Sequence, residues 1–276
     1  MNLTEEKVCK LEAYAQLIRE TSIKMLVASG SGHTAGPLGM ADIFAALYFH
    51  ILNHNPKNPE WDKRDRLVLS NGHICPAMYA AMAHAGYFTV EECLTLRKFG
   101  SRLQGHPERS RLPGIENTSG ALGEGLSQAA GMVYAFHMDG KKQRIYCIMS
   151  DGEQEEGSTW EAAMFIGKNK LSNLTAILDR NNIQISGRTE DVMPLDPLAD
   201  KYRAFNWNVI EADGNNISEF IQAVDDARNI SDKPTIIIAH TIPGKGVQEI
   251  ENDYRWHGKV PTAEEGERFL KEIRHD

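Results

Sequence analysis

The chain has 276 residues and a formal net charge of −8, from 30 Lys plus Arg against 38 Asp plus Glu. With 41% hydrophobic, 25% charged and 8% aromatic residues, the composition is that of a globular chain and excludes general disorder. The acidity argues against nucleic acid and anionic lipid as partners. The longest apolar stretches, residues 43–49 and 236–239, fall far short of the ~20 residues of a membrane span. The opening Met1-Asn2-Leu3-Thr4-Glu5-Glu6 is polar and lacks a basic-then-apolar signal, so a cytoplasmic setting is expected. Cys9, Cys75, Cys93 and Cys147 form no C-x-x-C pair and show no zinc spacing; free buried thiols in a reducing compartment are expected.

Taken in order, residues 5–28 read as an amphipathic helix, with Val8, Leu11, Ala15 and Ile18 at helical spacing. It stops at Ser29-Gly30-Ser31-Gly32-His33. Residues 40–52 read as a second helix, ending before an Asn- and Pro-rich loop at 53–59. A short strand at 66–70 runs into Asn71-Gly72-His73. Thr89-Val90-Glu91-Glu92 has the pattern of a capping box opening a helix. Residues 100–125 are loop-like, and so long an irregular stretch is usually functional. Strands follow at 145–149, 174–178, 208–212 and 235–239, with helices at 156–168 and 217–227. Strands alternating with helices predict a doubly wound α/β domain over residues 1–276, its mainly parallel sheet covered by helices on both faces. Residues 190–205 and 243–276 read as irregular.

In open parallel sheets ligands bind at the carboxyl ends of strands. Ser150-Asp151-Gly152-Glu153 follows one strand and Asp179-Arg180-Asn181-Asn182 the next. If these strands are neighbours, Asp151 and Asn181 reach one point. A carboxylate and an amide oxygen suit Mg²⁺ or Ca²⁺. Gly152 admits an anion close to the backbone, and the helix after it offers its N-terminus to phosphate. Either dipeptide alone is an ordinary turn; the ordered combination resembles the thiamine diphosphate motif, GDG and then NN after about thirty residues, with Ser150 in place of the first Gly. His33, His73, His106 and His257 each lie in a short polar or Gly-flanked segment. One such histidine is most often a surface residue; four together suit proton transfer near neutral pH.

The segments Ser31-Gly32-His33-Thr34-Ala35-Gly36-Pro37-Leu38-Gly39, Leu69-Ser70-Asn71-Gly72-His73, Gly105-His106-Pro107-Glu108, Thr118-Ser119-Gly120-Ala121-Leu122-Gly123-Glu124-Gly125, Gly244-Lys245-Gly246-Val247 and Trp256-His257-Gly258, with residues 151–156 and Asn181, together resemble transketolase. The departures are Thr34, where the family usually has Pro, Ala121, where Pro is frequent, and Glu124, where Gln is frequent. The resemblance covers only the N-terminal, diphosphate-binding domain of that family. It implies the N-terminal subunit of a split enzyme. A C-terminal subunit would carry the pyrimidine-binding domain, in a heterotetramer with two copies of each chain acting on sugar phosphates.

It also implies roles. Asp151, Asn181 and the Ile183 carbonyl would hold Mg²⁺, with Ca²⁺ or Mn²⁺ as substitutes. Gly152 and His73 would meet the diphosphate of thiamine diphosphate, Gly120 the aminopyrimidine and Leu122 the thiazolium. Glu156 would couple to a glutamate of the missing domain; its alternative is a helix-start acid. His33 and His257 would move the proton and stabilise the oxyanion, while His73 and His106 would hold the C1 hydroxyl. The rival readings are the α subunit of a 2-oxoacid dehydrogenase and a non-catalytic diphosphate-binding subunit.

Overall fold

A computed structural model of the chain describes residues 3–274; Met1 and Asn2 of the polar opening, with His275 and Asp276, lie outside the described residues. Helix α1 (Glu5–Ser29) opens where the Thr4 hydroxyl accepts the Lys7 amide and ends at Gly30, whose φ of 65° is left-handed. α2 (Ala35–Gly39) and α3 (Ala41–Ala46) follow. The 40–52 run is helical, but it widens from α to π geometry over Leu47–Ile51.

Strand β1 (Arg66–Leu69) and helix α4 (Cys75–Ala85) come next, then a 3-10 turn over Val90–Thr95. Here the expected capping box does not close. Glu92 is drawn away by Arg102, which donates to it at 2.5 and 3.0 Å, and Thr89 makes no side-chain cap bond. No helix or strand forms again until α5 (Gly125–Met138), which was not read from the sequence.

The second half runs β2 (Ile145–Ser150), α6 (Gly157–Lys168), β3 (Leu174–Arg180), the hairpin β4 (Ile183–Gln184) and β5 (Gly187–Arg188), α7 (Thr189–Val192) and α8 (Leu198–Ala204). It closes with β6 (Asn208–Asp213), α9 (Ile217–Asn229), β7 (Thr235–His240) and α10 (Ala263–Arg274). Two segments expected to be irregular therefore hold helices, α7 and α8 in the first and α10 in the second. In α10 the Glu-rich exterior masks a buried stripe at helical spacing, Gly266, Phe269 and Ile273.

All pairings in the main sheet are parallel, in the order β1-β2-β3-β7-β6. Alternate residues of each strand face opposite cores. In β2, Tyr146 and Ile148 join α1, α3, α4 and α9 on one face; Ile145, Cys147 and Met149 join α5, α6 and α8 on the other. This is the expected doubly wound sheet. The outer edge of β1 is closed by Asn117, whose amide group donates to the Leu69 carbonyl and accepts the Leu69 amide, both at 3.1 Å. Three cysteines are free and buried, as expected. Cys9 is exposed, because it lies on the outward side of α1 next to exposed Lys10. No helix among the described residues is long and apolar enough to cross a membrane.

Candidate active site

β2 and β3 are neighbours in register, with Ser150 opposite Asp179, so their carboxyl ends deliver Asp151 and Asn181 to one place. Asp151 is 1% exposed. Its Oδ1 accepts the Gly152 amide at 2.8 Å and its Oδ2 accepts the Asn182 amide at 2.6 Å, which ties the two strand ends together. Arg180 Nη1 stands 3.5 Å from the same carboxylate. Burial outweighs these contacts and raises the Asp151 pKa to about 6. The Asn181 amide donates to Asp179 at 2.8 Å, and its Oδ1 accepts the Ile183 amide at 3.0 Å, leaving that oxygen a second lone pair. Asn182 takes a left-handed φ of 62°, which turns the chain sharply into β4. Asp179, held by Thr241 and Asn181, is raised to about 7, again mainly by burial.

The helix expected after Gly152 from residue 156 is α6, which starts at Gly157, and residues 152–155 between them form a 3-10 turn. The turn exists because Glu153, fully buried, anchors three chain segments. It accepts from the Ser70 hydroxyl, the Gly123 amide at 2.7 Å and the Ser150 amide at 3.1 Å, and Ser70 in turn accepts the Gly125 amide at 3.0 Å. Glu153 thus pins the long 96–124 loop to the ends of β1 and β2.

Close by, where Gly258 lies against Ile185 of the β4–β5 hairpin (an added Cβ would be 3.8 Å from Ile185 Cδ1), four histidine rings meet and form the other side of a cleft. His33 lies 5.1 Å from His73, 5.5 Å from His257 and 6.3 Å from His106, and His73 lies 5.1 Å from His257 (ring centroids). All four are half-buried. Burial, then mutual repulsion and the Arg97 guanidinium, lowers the His33 pKa to about 4. Burial is also the first cause of the lowered values of His73, His106 and His257. At neutral pH the rings are uncharged and able to accept protons. Gly120 adopts a φ of 145° beside His106: an added Cβ would lie 3.6 Å from His106 Cγ. Leu122 is half-buried on the same loop, and Glu156 is exposed at the rim.

Several buried side-chain atoms around this cleft have no partner: His33 Nδ1, both polar atoms of Asn71, Ser119 Oγ and Gln184 Oε1. Such groups are costly unless a ligand or water satisfies them. With the Asp151 carboxylate, the free lone pair of Asn181 Oδ1 and the Ile183 carbonyl, they fit a hard cation carrying a polar diphosphate. Glu153, Asn71, Ser119, Gln184 and Arg97 received no role from sequence. Glu153, Asn71 and Ser119 lay inside the quoted segments, but nothing in their residue types distinguished them there.

The chain matches the family model "Transketolase, thiamine diphosphate binding domain" over residues 11–274. It is 43% identical to the 6-deoxy-6-sulfo-D-fructose transketolase subunit SqwG of a Clostridium strain, covering 94% of each chain. It is 41% identical to an apulose-4-phosphate transketolase subunit of Phocaeicola vulgatus, covering 95% of this chain and 93% of that one. Human transketolase is 38% identical over 98% of this chain but only 43% of its own length. The crystal structure of Campylobacter jejuni transketolase superposes with a TM-score of 0.89 at 34% identity, covering 100% of this chain and 43% of that one. A Pichia stipitis transketolase mutant gives 0.90 at 31%, covering 96% and 40%. The chain thus spans about two fifths of the solved transketolases, and it belongs to the transketolase family of transferases as the thiamine diphosphate-binding part.

Proposed function

We propose that the chain is the diphosphate-binding subunit of a split transketolase, moving a two-carbon ketol unit from a ketose to an aldose phosphate with Mg²⁺ and thiamine diphosphate. What carries the reading is that one cleft joins an oxygen donor set at two strand ends to four uncharged histidines. Two relatives of like length, named as transketolase subunits, support it.

In this reading Asp151, Asn181 Oδ1 and the Ile183 carbonyl hold the cation, with Ca²⁺ or Mn²⁺ able to replace Mg²⁺. Gly152 and His73 contact the diphosphate, the Gly120 backbone meets the aminopyrimidine and Leu122 packs on the thiazolium. Bound thiamine diphosphate supplies the nucleophilic carbon and the electron sink. His33 and His257 take the proton from the donor's C3 hydroxyl, return it to the acceptor and hydrogen-bond the developing oxyanion. Their lowered pKa values leave a lone pair free for that proton at pH 7. His106 and His73 hold the C1 hydroxyl and fix the two-carbon unit.

Glu156 at the exposed rim couples to a carboxylate of the pyrimidine-binding domain across the subunit contact. That domain, with the C-terminal domain, comes on a partner chain in a heterotetramer with two copies of each. The chain is one diphosphate-binding domain, and the setting is cytoplasmic. The donor is a ketose with an anionic terminus, a phosphate or, as the sulfofructose relative's name suggests, a sulfonate.

The test is a coupled assay of ketol transfer with Mg²⁺ and thiamine diphosphate. It uses xylulose 5-phosphate or 6-deoxy-6-sulfo-D-fructose as donor and ribose 5-phosphate as acceptor. Turnover is expected with this chain plus its pyrimidine-domain partner and with neither alone. A pair that binds the cofactor and transfers from neither donor would overturn the reading.

A further inference from the structure

Thr34 directly follows His33 and stands at the start of α2, with φ −107° and ψ −51° and no side-chain bond to the helix it opens. A threonine in that place ordinarily accepts an amide of the first turn. This one is fully buried and donates instead to the Lys259 carbonyl, 2.6 Å away. Lys259 lies two residues past His257, so the bond joins the segment carrying one histidine to the segment carrying the other. Among the described residues it is the only hydrogen bond between 30–36 and 254–262.

The surroundings are close-fitting. A Cβ on Gly32 would come 2.5 Å from Leu26 Cδ2 and 3.8 Å from Val260 Cγ1. The far side of the His257 segment is held by Trp256, whose ring packs 5.3 Å from Phe269 of α10 and lies under the Lys259 ammonium at 3.7 Å.

We propose that Thr34 is a positioning residue whose hydroxyl sets the separation and tilt of the His33 and His257 rings. The proposal rests on the reading above of these two histidines as proton carriers. Losing the hydroxyl leaves the Lys259 carbonyl unpartnered and lets the His257 segment drift, and a misplacement of about 1 Å at such a group lowers turnover up to roughly 100-fold.

The test compares Thr34→Val, which keeps the volume, and Thr34→Ser, which keeps the hydroxyl, with the wild-type full chain. Histidine Cε1 protons are titrated by NMR, and ketol transfer is measured with the partner chain. His33 faces His73, His106 and His257, with Arg97 at the rim. In the Val variant its midpoint should rise from about 4 by about half a pH unit or more as water enters. His84, which is bonded to Thr21 away from this cluster, should keep its own. The kcat should fall about 10-fold with the donor KM held within about 2-fold, and Ser should restore both. A Val variant whose His33 titrates as in wild type overturns the proposal even if its melting temperature drops, and so does a Ser variant that restores nothing. The titration needs no turnover, so failure of wild type to transfer ketol units would count against the functional reading and leave the result for Thr34 intact. Should Val not fold, Thr34→Ala removes the same hydroxyl with less bulk and is read identically.

Discussion

The two sides of the cleft are built differently. The Asp151–Asn181 side comes from adjacent strands joined by a single helix, and backbone amides fix its geometry within a few residues of the sheet. The histidine side comes from four segments, the outermost two, at His33 and His257, more than two hundred residues apart in the chain, and it is held by loop contacts. A site at strand ends inherits the rigidity of the sheet. A site assembled from loops depends on a few specific anchors, of which Glu153 and Thr34 are the clearest here. Cofactor affinity should therefore follow the first side and turnover the second.

The sharpest way to separate them is at the ligands themselves. Asp151→Ala removes the one charged member of the donor set, so thiamine diphosphate affinity in Mg²⁺ should fall about 1000-fold or more by calorimetry. An unchanged affinity would break the assignment of this side. On the other side, His257→Ala should lower kcat by about 100-fold while the cofactor Kd stays within about 3-fold. Equal losses in kcat and affinity would mean that the two sides are not separable.

Glu153 joins the sides. Glu153→Ala strands a hydroxyl and two amides in the interior and should cost about 2–4 kcal/mol in denaturant unfolding, with Glu153→Gln recovering part of it. A cost under about 0.5 kcal/mol would show that the loop is held by something else.

The smallest effect is in pH dependence. His33 has a folded pKa of about 4 against an ordinary 6.5, so between these values the unfolded chain binds more protons. Its contribution is present above 6.5 and lost as pH falls toward 4. Asp151 and Asp179 act in the opposite sense: raised to about 6 and about 7, they favour the folded state at low pH and lose that contribution as pH rises through those values. Wild type sums both, so the His33→Asn difference isolates the histidine. The variant should gain on the order of 1–2 kcal/mol relative to wild type between pH 6.5 and pH 4.5. A pH-independent difference would contradict the burial of that ring.

Legibility in the sequence divides along the same line. The strand-end rule placed Asp151 and Asn181 together from local pattern alone, because adjacent strands linked by one helix have little freedom in where they emerge. The meeting of the four histidines was not derivable from spacing; it came from resemblance, since loop closure over such separations leaves no local periodicity. Glu153 was invisible because an acid next to Asp-Gly reads as a solvated turn residue, while its role lies in amides contributed by distant segments. Thr89 shows the converse: a complete local signal, Thr-x-x-Glu, was overridden because Arg102 claimed the glutamate. The helices α8 and α10 were missed because charged exteriors hid short buried stripes.

The most direct test of the central claim is a calorimetric titration of thiamine diphosphate into the chain paired with its partner, in Mg²⁺ and again in EDTA. Saturable binding in Mg²⁺ is expected to disappear in EDTA and return when Mg²⁺, Ca²⁺ or Mn²⁺ is added back. Binding of equal strength in EDTA would contradict that claim, because a cation at Asp151, Asn181 and Ile183 would then have no part in holding the diphosphate.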